Sequence, residues 1–278
     1  MKGVFLVVLS MLLLSGSAFA LTPAETDAAL QKSVTQTMAA RGMEVLVDVA
    51  RVQEMKDLKG FYYYKITVKD KKKPAMSQDQ YLFFNGTYIV PDFINAASGA
   101  SLAKDLKFDL SITDIDTSKL SLIYGKRGAK NTIVKITDFE CPYCRKANEY
   151  IESLVKGRND VAIYIMHLPL KIHKKAIPFA EIFEAGNIMG KNFSHELFSD
   201  DKLLAMTDEE VINYFAAKSG DAAKFKGLLK SEQVQNILKN SQTQTEALAI
   251  TATPVIFING KRVDGFDQAL INKGFSGF

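Results

Sequence analysis

The chain is predicted to be an α/β protein in two parts: a small α+β unit, then a strand–helix–strand unit with a long helical segment and a closing hairpin. Three observations predict this. Apolar residues alternate with period two at Val45, Val47 and Val49 and again at Tyr62, Tyr64, Ile66 and Val68, as half-buried strands do. From Asn131 a strand, a helix and a second apolar strand follow in order. Residues 174–249 then carry helical composition before strand character returns at Pro254. At 278 residues the chain exceeds the usual domain size of about 100–150 residues, so two domains are expected. With 47% hydrophobic residues, each can bury a core.

Residues 1–20 read as a secretory signal. Lys2 supplies the positive end, Val4 to Leu14 is apolar, and Ala18-Phe19-Ala20 fits a small-x-small cleavage site. The apolar run is short for a bilayer span, and no cysteine follows it to carry a lipid anchor. Cleavage after Ala20 would place the mature chain in a periplasmic or otherwise exported, oxidising compartment. The formal net charge of +4 is too small an excess to argue for nucleic acid.

Residues 21–107 make up the small α+β domain. Thr22 caps a helix over Pro23 to Ala40, with Pro23 at its first position. The strands follow, and Asn85-Gly86 between Tyr81-Leu82-Phe83-Phe84 and Thr87-Tyr88-Ile89-Val90 predicts a two-residue hairpin turn with positive φ at both positions. Lys71-Lys72-Lys73-Pro74 reads as a solvated turn between strands. Residues 108–130, polar and aperiodic with Asp114, Asp116, Thr117, Ser118, Gly125 and Gly128, are predicted to be a linker and lead-in.

Residues 131–278 form the second domain. Asn131 to Phe139 is a strand, Cys141 to Val155 a helix and Val161 to Leu168 a strand, a βαβ unit that implies a parallel pair. The helical insertion over 174–249 offers caps at Ser194, Thr207 and Ser219, with Gly186, Gly190, Gly220 and Gly227 interrupting it. Pro254 to Ile258 is a strand, Asn259-Gly260 turns it, and Phe266 to Lys273 closes as a helix. Strand, helix, strand, helical block, hairpin and helix together give a thioredoxin fold with a helical insertion.

Cys141-Pro142-Tyr143-Cys144 contains the only two cysteines of the chain. A bridge across two residues closes too small a loop to constrain the unfolded chain much, so the pair is read as a redox centre. No other cofactor is expected beyond this redox-active disulfide.

The segment KITDFECPYC (Lys135 to Cys144), followed by HLPLKIH and TATPVIFINGKRVDGF, resembles the DsbA-type thioredoxin-fold oxidoreductases over roughly residues 120–278. The segment QYLFFNGTYIVPDFINAASGASL is similar to the end of the dimerisation domain of the DsbC and DsbG isomerases. The second resemblance implies a V-shaped homodimer with two catalytic domains facing a cleft. The first implies that Thr253-Pro254 is the cis-proline loop facing the cysteines, that Thr253 contacts the Cys141 sulfur, and that Thr253, Pro254, Pro142 and Tyr143 meet substrate.

Cys141 should stand at the N-terminus of its helix, where unsatisfied N–H groups and the helix dipole stabilise a thiolate. Cys144, one turn in and more enclosed, should resolve mixed disulfides. Lowering a thiol pKa from about 8.5 to about 5.5 raises its thiolate fraction at pH 7 roughly thirtyfold but lowers its nucleophilicity roughly twentyfold. The gain is therefore in leaving ability. Strongly oxidising DsbA proteins carry Pro-His between the cysteines; Pro-Tyr, as in the DsbG type, implies a depressed but less extreme pKa.

Glu140 and Asp138 are candidates for a proton relay to Cys144, since alternation along a strand would put both on one face; solvated surface charge is the competing reading. His167, His173 and His195 have no metal-ligand spacing, and His173 is read as structural. Arg145 stands where haem attachment requires a histidine after CxxC. The leading reading is an exported thiol-disulfide oxidoreductase, oxidase or isomerase, acting on cysteine-containing proteins with a membrane or periplasmic redox partner. The alternative is a non-catalytic periplasmic chaperone or a copper-handling thiol protein, for which Met166 and Met189 form no cluster beside CPYC.

Overall fold

The computed structural model describes residues 22–72, 77–110 and 112–278. They divide into two compact units at Lys107/Phe108. The signal expected over residues 1–20 lies outside the described residues, as do Lys73 and Pro74 of the basic turn.

The first unit opens with α1 (Pro23–Ala40), started by a capping box in which Thr22 and Glu25 satisfy each other's backbone N–H groups. Leu30, Val34 and Met38, four residues apart, form one buried stripe. That stripe packs on Val47, Tyr64, Ile66, Leu82 and Phe84 of an antiparallel sheet. The sheet runs in order β1 (Val45–Glu54), β2 (Tyr62–Asp70), β3 (Ser77–Phe84) and β4 (Ile89–Val90). A second cluster of Met55, Tyr63 and Phe83 packs with Leu102, Ala103 and Leu106 of α2 (Leu102–Leu110), the helix in which the unit boundary falls.

The turn at Asn85-Gly86 differs from the expectation. Phe84 pairs with Ile89, so the loop has four residues, and Gly86 has positive φ while Asn85 does not. The Asn85 carboxamide accepts hydrogen bonds from the N–H groups of Thr87 and Tyr88. This side-chain turn replaces the two-residue hairpin.

The second unit is built on a five-stranded sheet in the order β5 (Ser121–Tyr124), β7 (Val161–His167), β6 (Asn131–Thr137), β8 (Val255–Ile258) and β9 (Lys261–Asp264). β6 and β7 are parallel and the other pairs antiparallel. Helix α3 (Pro142–Val155) connects β6 to β7 and packs with α10 (Gln268–Phe275) in one cluster around Ile133, Ile163 and Ile256. Val134, Ile136, Tyr164 and Phe257, alternate residues of the same strands, form another cluster. The helical block comprises α4 (Ala176–Ile188), α5 (Ser194–Ser199), α6 (Lys202–Ala205), α7 (Asp208–Ser219), α8 (Ala222–Leu229) and α9 (Glu232–Ala247). Its aromatic core of Phe179, Phe183, Phe193, Phe198, Phe215 and Phe225 is continuous with Phe139 and the two cysteines.

Three local expectations are corrected. Residues 108–130 are more than a linker: Phe108 is buried in the core, and Ser121–Tyr124 adds an edge strand. Thr207 does cap α7, but Ser194 is the first residue inside α5 and Ser219 the last of α7, while Asp221 and Ser231 supply the caps of α8 and α9. Gly186 and Gly227 lie inside helices rather than at breaks. At Gly186 an added Cβ would meet the Phe193 ring at 2.5 Å, so close packing, not a break, accounts for it.

Candidate active site

β6 ends at Thr137, and Asp138, Phe139 and Glu140 form a turn that delivers Cys141 to the start of α3. Cys141 is the N-cap, in extended conformation, and Pro142 occupies the first helical position. Proline has no N–H to lose there. The next turns bury Cys144, Ala147, Asn148, Ile151 and Val155 against the sheet. Tyr143 points the other way and is 62% exposed.

Both cysteines are thiols, Cys141 5% and Cys144 2% exposed. Their environments pull in opposite directions. The Cys144 thiol hydrogen-bonds the Cys141 sulfur, and this contact, opposed by burial and aided by the N–H groups of Cys144 and Tyr143 and the Thr253 hydroxyl, lowers the Cys141 pKa to about 5. Burial pushes the Cys144 thiol strongly up, and its bond to Cys141 adds to that; Thr253, Thr137 and the Asp138 backbone oppose it without prevailing. The surroundings thus favour the anion at Cys141 and the thiol at Cys144.

The loop before β8 stands against the pair. The Cys141 sulfur lies 3.7 Å from the Thr253 carbonyl oxygen, and the Thr253–Pro254 bond is cis. The Thr253 hydroxyl is buried with no conventional hydrogen-bond partner among the described residues. It favours anionic sulfur at both cysteines.

Asp138 and Glu140 do not share a strand face, because the strand has already ended. Asp138 is buried, its carboxylate accepting hydrogen bonds from the N–H groups of Glu140 (2.9 Å) and Leu170 (2.9 Å) and pairing with His173 Nδ1 (2.7 Å). Glu140 accepts from the Lys175 N–H at 2.6 Å, at the start of α4. Both carboxylates thus tie the turn before Cys141 to the segment after β7. His167 pairs with Glu184, and His195 with Glu152. Arg145 bonds the Leu197 carbonyl and Asp201, holding α3 to the helical block.

One residue near the pair escaped the sequence reading. Lys135, in the middle of β6, is 4% exposed, and burial pushes its pKa down to about 8 against the opposing pull of Glu152 and Cys144. It was visible as a lysine in an otherwise apolar strand six residues before Cys141.

A dithiol at the N-terminus of a helix that crosses between the central strands of an α/β sheet defines a thioredoxin-like protein by class. The thioredoxin family model matches residues 117–271, more than half the chain, and the chain belongs to that family. Among curated relatives, the Na(+)/H(+) antiporter NhaA 1 of Mycolicibacterium gilvum is 30% identical over 149 residues, 51% of this chain and 24% of the antiporter. The chain therefore spans about a quarter of the length of such relatives. Among solved structures, a thioredoxin-like oxidoreductase from Silicibacter pomeroyi DSS-3 overlays with a TM-score of 0.50 at 20% identity, covering 59% of this chain and 97% of that one. Oxidised BdbD from Bacillus subtilis gives 0.48 at 19%, covering 60% and 96%. The first of these overlays is a likeness of fold. No helix among the described residues is long and apolar enough to cross a membrane.

Proposed function

We propose that the chain is an exported protein thiol-disulfide oxidoreductase that exchanges the Cys141–Cys144 disulfide with cysteines of protein substrates. The observation that carries this reading is the placement of Cys141 as N-cap of α3, with Cys144 one turn in, facing the cis Thr253–Pro254 bond with 3.7 Å between the Cys141 sulfur and the Thr253 carbonyl oxygen. At neutral pH Cys141 is the anion that attacks, or is expelled from, a mixed disulfide. Cys144 supplies the second thiol that completes the exchange.

Leaving-group chemistry favours one direction of exchange, which the reduction potential tests. A thiol with a pKa near 5 gains about as much in thiolate fraction as it loses in nucleophilicity, but it is a far better leaving group. That stabilises the reduced pair and makes the disulfide oxidising. Exposed Pro142 and Tyr143 beside the sulfur, with the Thr253-Pro254 loop opposite, form the docking surface for an extended substrate segment. Export, through removal of residues 1–20, supplies the oxidising compartment, and the first unit is the part that would form a homodimer. Ion transport is not carried over from the antiporter relatives, whose shared segment is about a quarter of their length.

The test is the reduction potential of residues 21–278 in glutathione buffers. A value near about −120 mV identifies a disulfide donor, and one near about −200 mV or lower an isomerase or reductase kept reduced by a partner. A pair that forms no mixed disulfide with glutathione at any ratio would overturn the reading. Cys141→Ser should abolish turnover of a reduced, unfolded substrate protein.

A further inference from the structure

We propose that Lys171 to Lys174, the segment after β7, is a docking ledge that favours substrate cysteines with an apolar residue and acidic residues close by in an extended chain. Such selection rests on the exchange reading above and names its substrate class. Hydrogen bonds fix the place of the segment. The Leu168 N–H donates to the Thr137 carbonyl at 3.0 Å, the Leu170 N–H to Asp138 Oδ2 at 2.9 Å and the Lys175 N–H to Glu140 Oε2 at 2.6 Å, while His173 Nδ1 meets Asp138 Oδ2 at 2.7 Å. The Cys141 N–H in turn donates to the Asp138 carbonyl at 3.2 Å. The segment is therefore laid along residues 137–140, directly before the attacking cysteine.

Ile172 is 82% exposed, more than any other large apolar side chain among the described residues. Ile177, in the first turn of α4, is 54% exposed, and Tyr143 stands exposed beside Cys141. One exposed isoleucine is ordinary; several apolar side chains on segments that converge beside a reactive cysteine mark a surface that another chain covers. Lys171 and Lys174 flank Ile172, both exposed, and neither is ion-paired among the described residues. Lys146, exposed on α3, stands 5.9 Å from the centre of the Tyr143 ring. Other charges here are already engaged: His173 with Asp138, Lys175 with Asp208 at 3.0 Å, Arg145 with Asp201, and Glu140 with the Lys175 N–H. Exposed Glu149 on α3 is the acidic exception.

The uncompensated charge is cationic and set among apolar side chains, so the complementary ligand is an acidic, partly apolar segment. An extended chain advances about 3.3 Å per residue, so the residues within about four of a cysteine joined to Cys141 are those that meet the ledge. Exposed ion pairs add little affinity one at a time; their effect falls on the encounter rate and is screened by salt. A phospholipid surface is the poorer match, because lipid-binding segments gather about four to eight Lys or Arg. In the exchange itself the Cys141–Cys144 disulfide is reduced to two thiols and two substrate thiols are oxidised to a disulfide, two electrons and two protons passing to the protein.

The experiment mixes oxidised residues 21–278 with either of two dithiol peptides, identical except that a leucine and the first cysteine are flanked by aspartates in one and by lysines in the other. Reaction is quenched in acid and read by mass, and each rate is divided by that with neutral dithiothreitol, so that a change in the reactivity of the cysteine pair itself cancels. At low salt the acidic peptide should react at least about tenfold faster than the basic one. In 1 M salt, where the Debye length is about 3 Å, the two should agree within about twofold. Lys171→Glu/Lys174→Glu should abolish or reverse the preference, and Ile172→Ser should slow both peptides severalfold while keeping their ratio. A ratio below about twofold at low salt, or one unaltered in the double variant, would overturn the proposal alone. Equal peptide rates together with sedimentation on anionic phospholipid vesicles that depends on Lys171 and Lys174 would overturn it in favour of a membrane surface. Failure to react with dithiothreitol or either peptide would remove the exchange reading as well.

Discussion

His173 Nδ1 meets the buried Asp138 carboxylate at 2.7 Å, joining the segment after β7 to the turn that carries Cys141. Burial works to lower the imidazole pKa, but the Asp138 hydrogen bond and charge, with the Glu140 and Cys141 charges, outweigh it and raise the pKa. A raised folded value stabilises the fold fully below the unfolded histidine pKa of about 6.5 and is lost as pH rises through the folded value. His173→Ala should therefore cost about 1.5–3 kcal/mol at pH 6 and less at pH 9. Urea unfolding of the reduced protein at the two pH values checks this, and a larger loss at pH 9 would refute it.

The Cys141 thiolate should appear as absorbance near 240 nm with a midpoint close to 5 in the reduced protein, and it should vanish in Cys141→Ser. Its lowered pKa contributes stability to the reduced form that is complete above the ordinary thiol pKa of 9.0 and lost as pH falls through about 5. Because the Cys144 thiol is the foremost cause of the lowering, Cys144→Ala should move the midpoint upward by at least about one unit. An unchanged midpoint would assign the effect to the helix N–H groups instead.

Glu184, fully buried in α4, accepts the Ser121 hydroxyl at 2.6 Å through one oxygen and meets His167 Nε2 at 2.6 Å through the other. It therefore joins the edge strand β5, its neighbour β7 and the helical block. Glu184→Ala strands two buried polar groups at about 1–3 kcal/mol each. The loss should be visible as a lower urea midpoint without a change in the Cys141 titration, and the double variant with His167→Phe should recover part of it.

Gly125 follows β5 with φ of +74°, and an added Cβ would fall 1.9 Å from the Val161 carbonyl oxygen. Backbone cannot yield that distance without moving β5 or β7. Gly125→Ala should destabilise the second unit by at least about 2 kcal/mol, the left-handed conformation alone accounting for about 1–2 kcal/mol. Gly128→Ala, with similar φ but open space around it, should cost only the conformational part.

Much of this was legible in order along the chain. Period-two alternation and the capping signals at Thr22-Pro23 and Thr207 mark elements because they depend on neighbours within a few residues. The Asn259-Gly260 turn has positive φ at both residues, as that dipeptide favours; Asn85-Gly86, the same dipeptide, does not, because the pairing of Phe84 with Ile89 left four residues to be spanned. Cys141 as helix N-cap followed from local sequence too, since Pro142 can begin a helix but not continue one.

The ionisation of the site was not local. Which carboxylate is buried, and what it bonds, depended on residues 32 to 35 positions away: Leu170 and His173 came to Asp138, and Lys175 to Glu140. The proximity of Thr253 to Cys141 spans 112 positions and was foreseen through family resemblance rather than periodicity. Lys135 shows the same limit from the other side. Its place in an apolar strand could be read from the residues beside it, but its burial under Asn148 and Phe198 required the sheet, α3 and α5 to be packed together. Short-range order follows from backbone preference and residue pattern; pKa and hydrogen-bond partnership follow from exclusion of water, which only packing of distant segments produces.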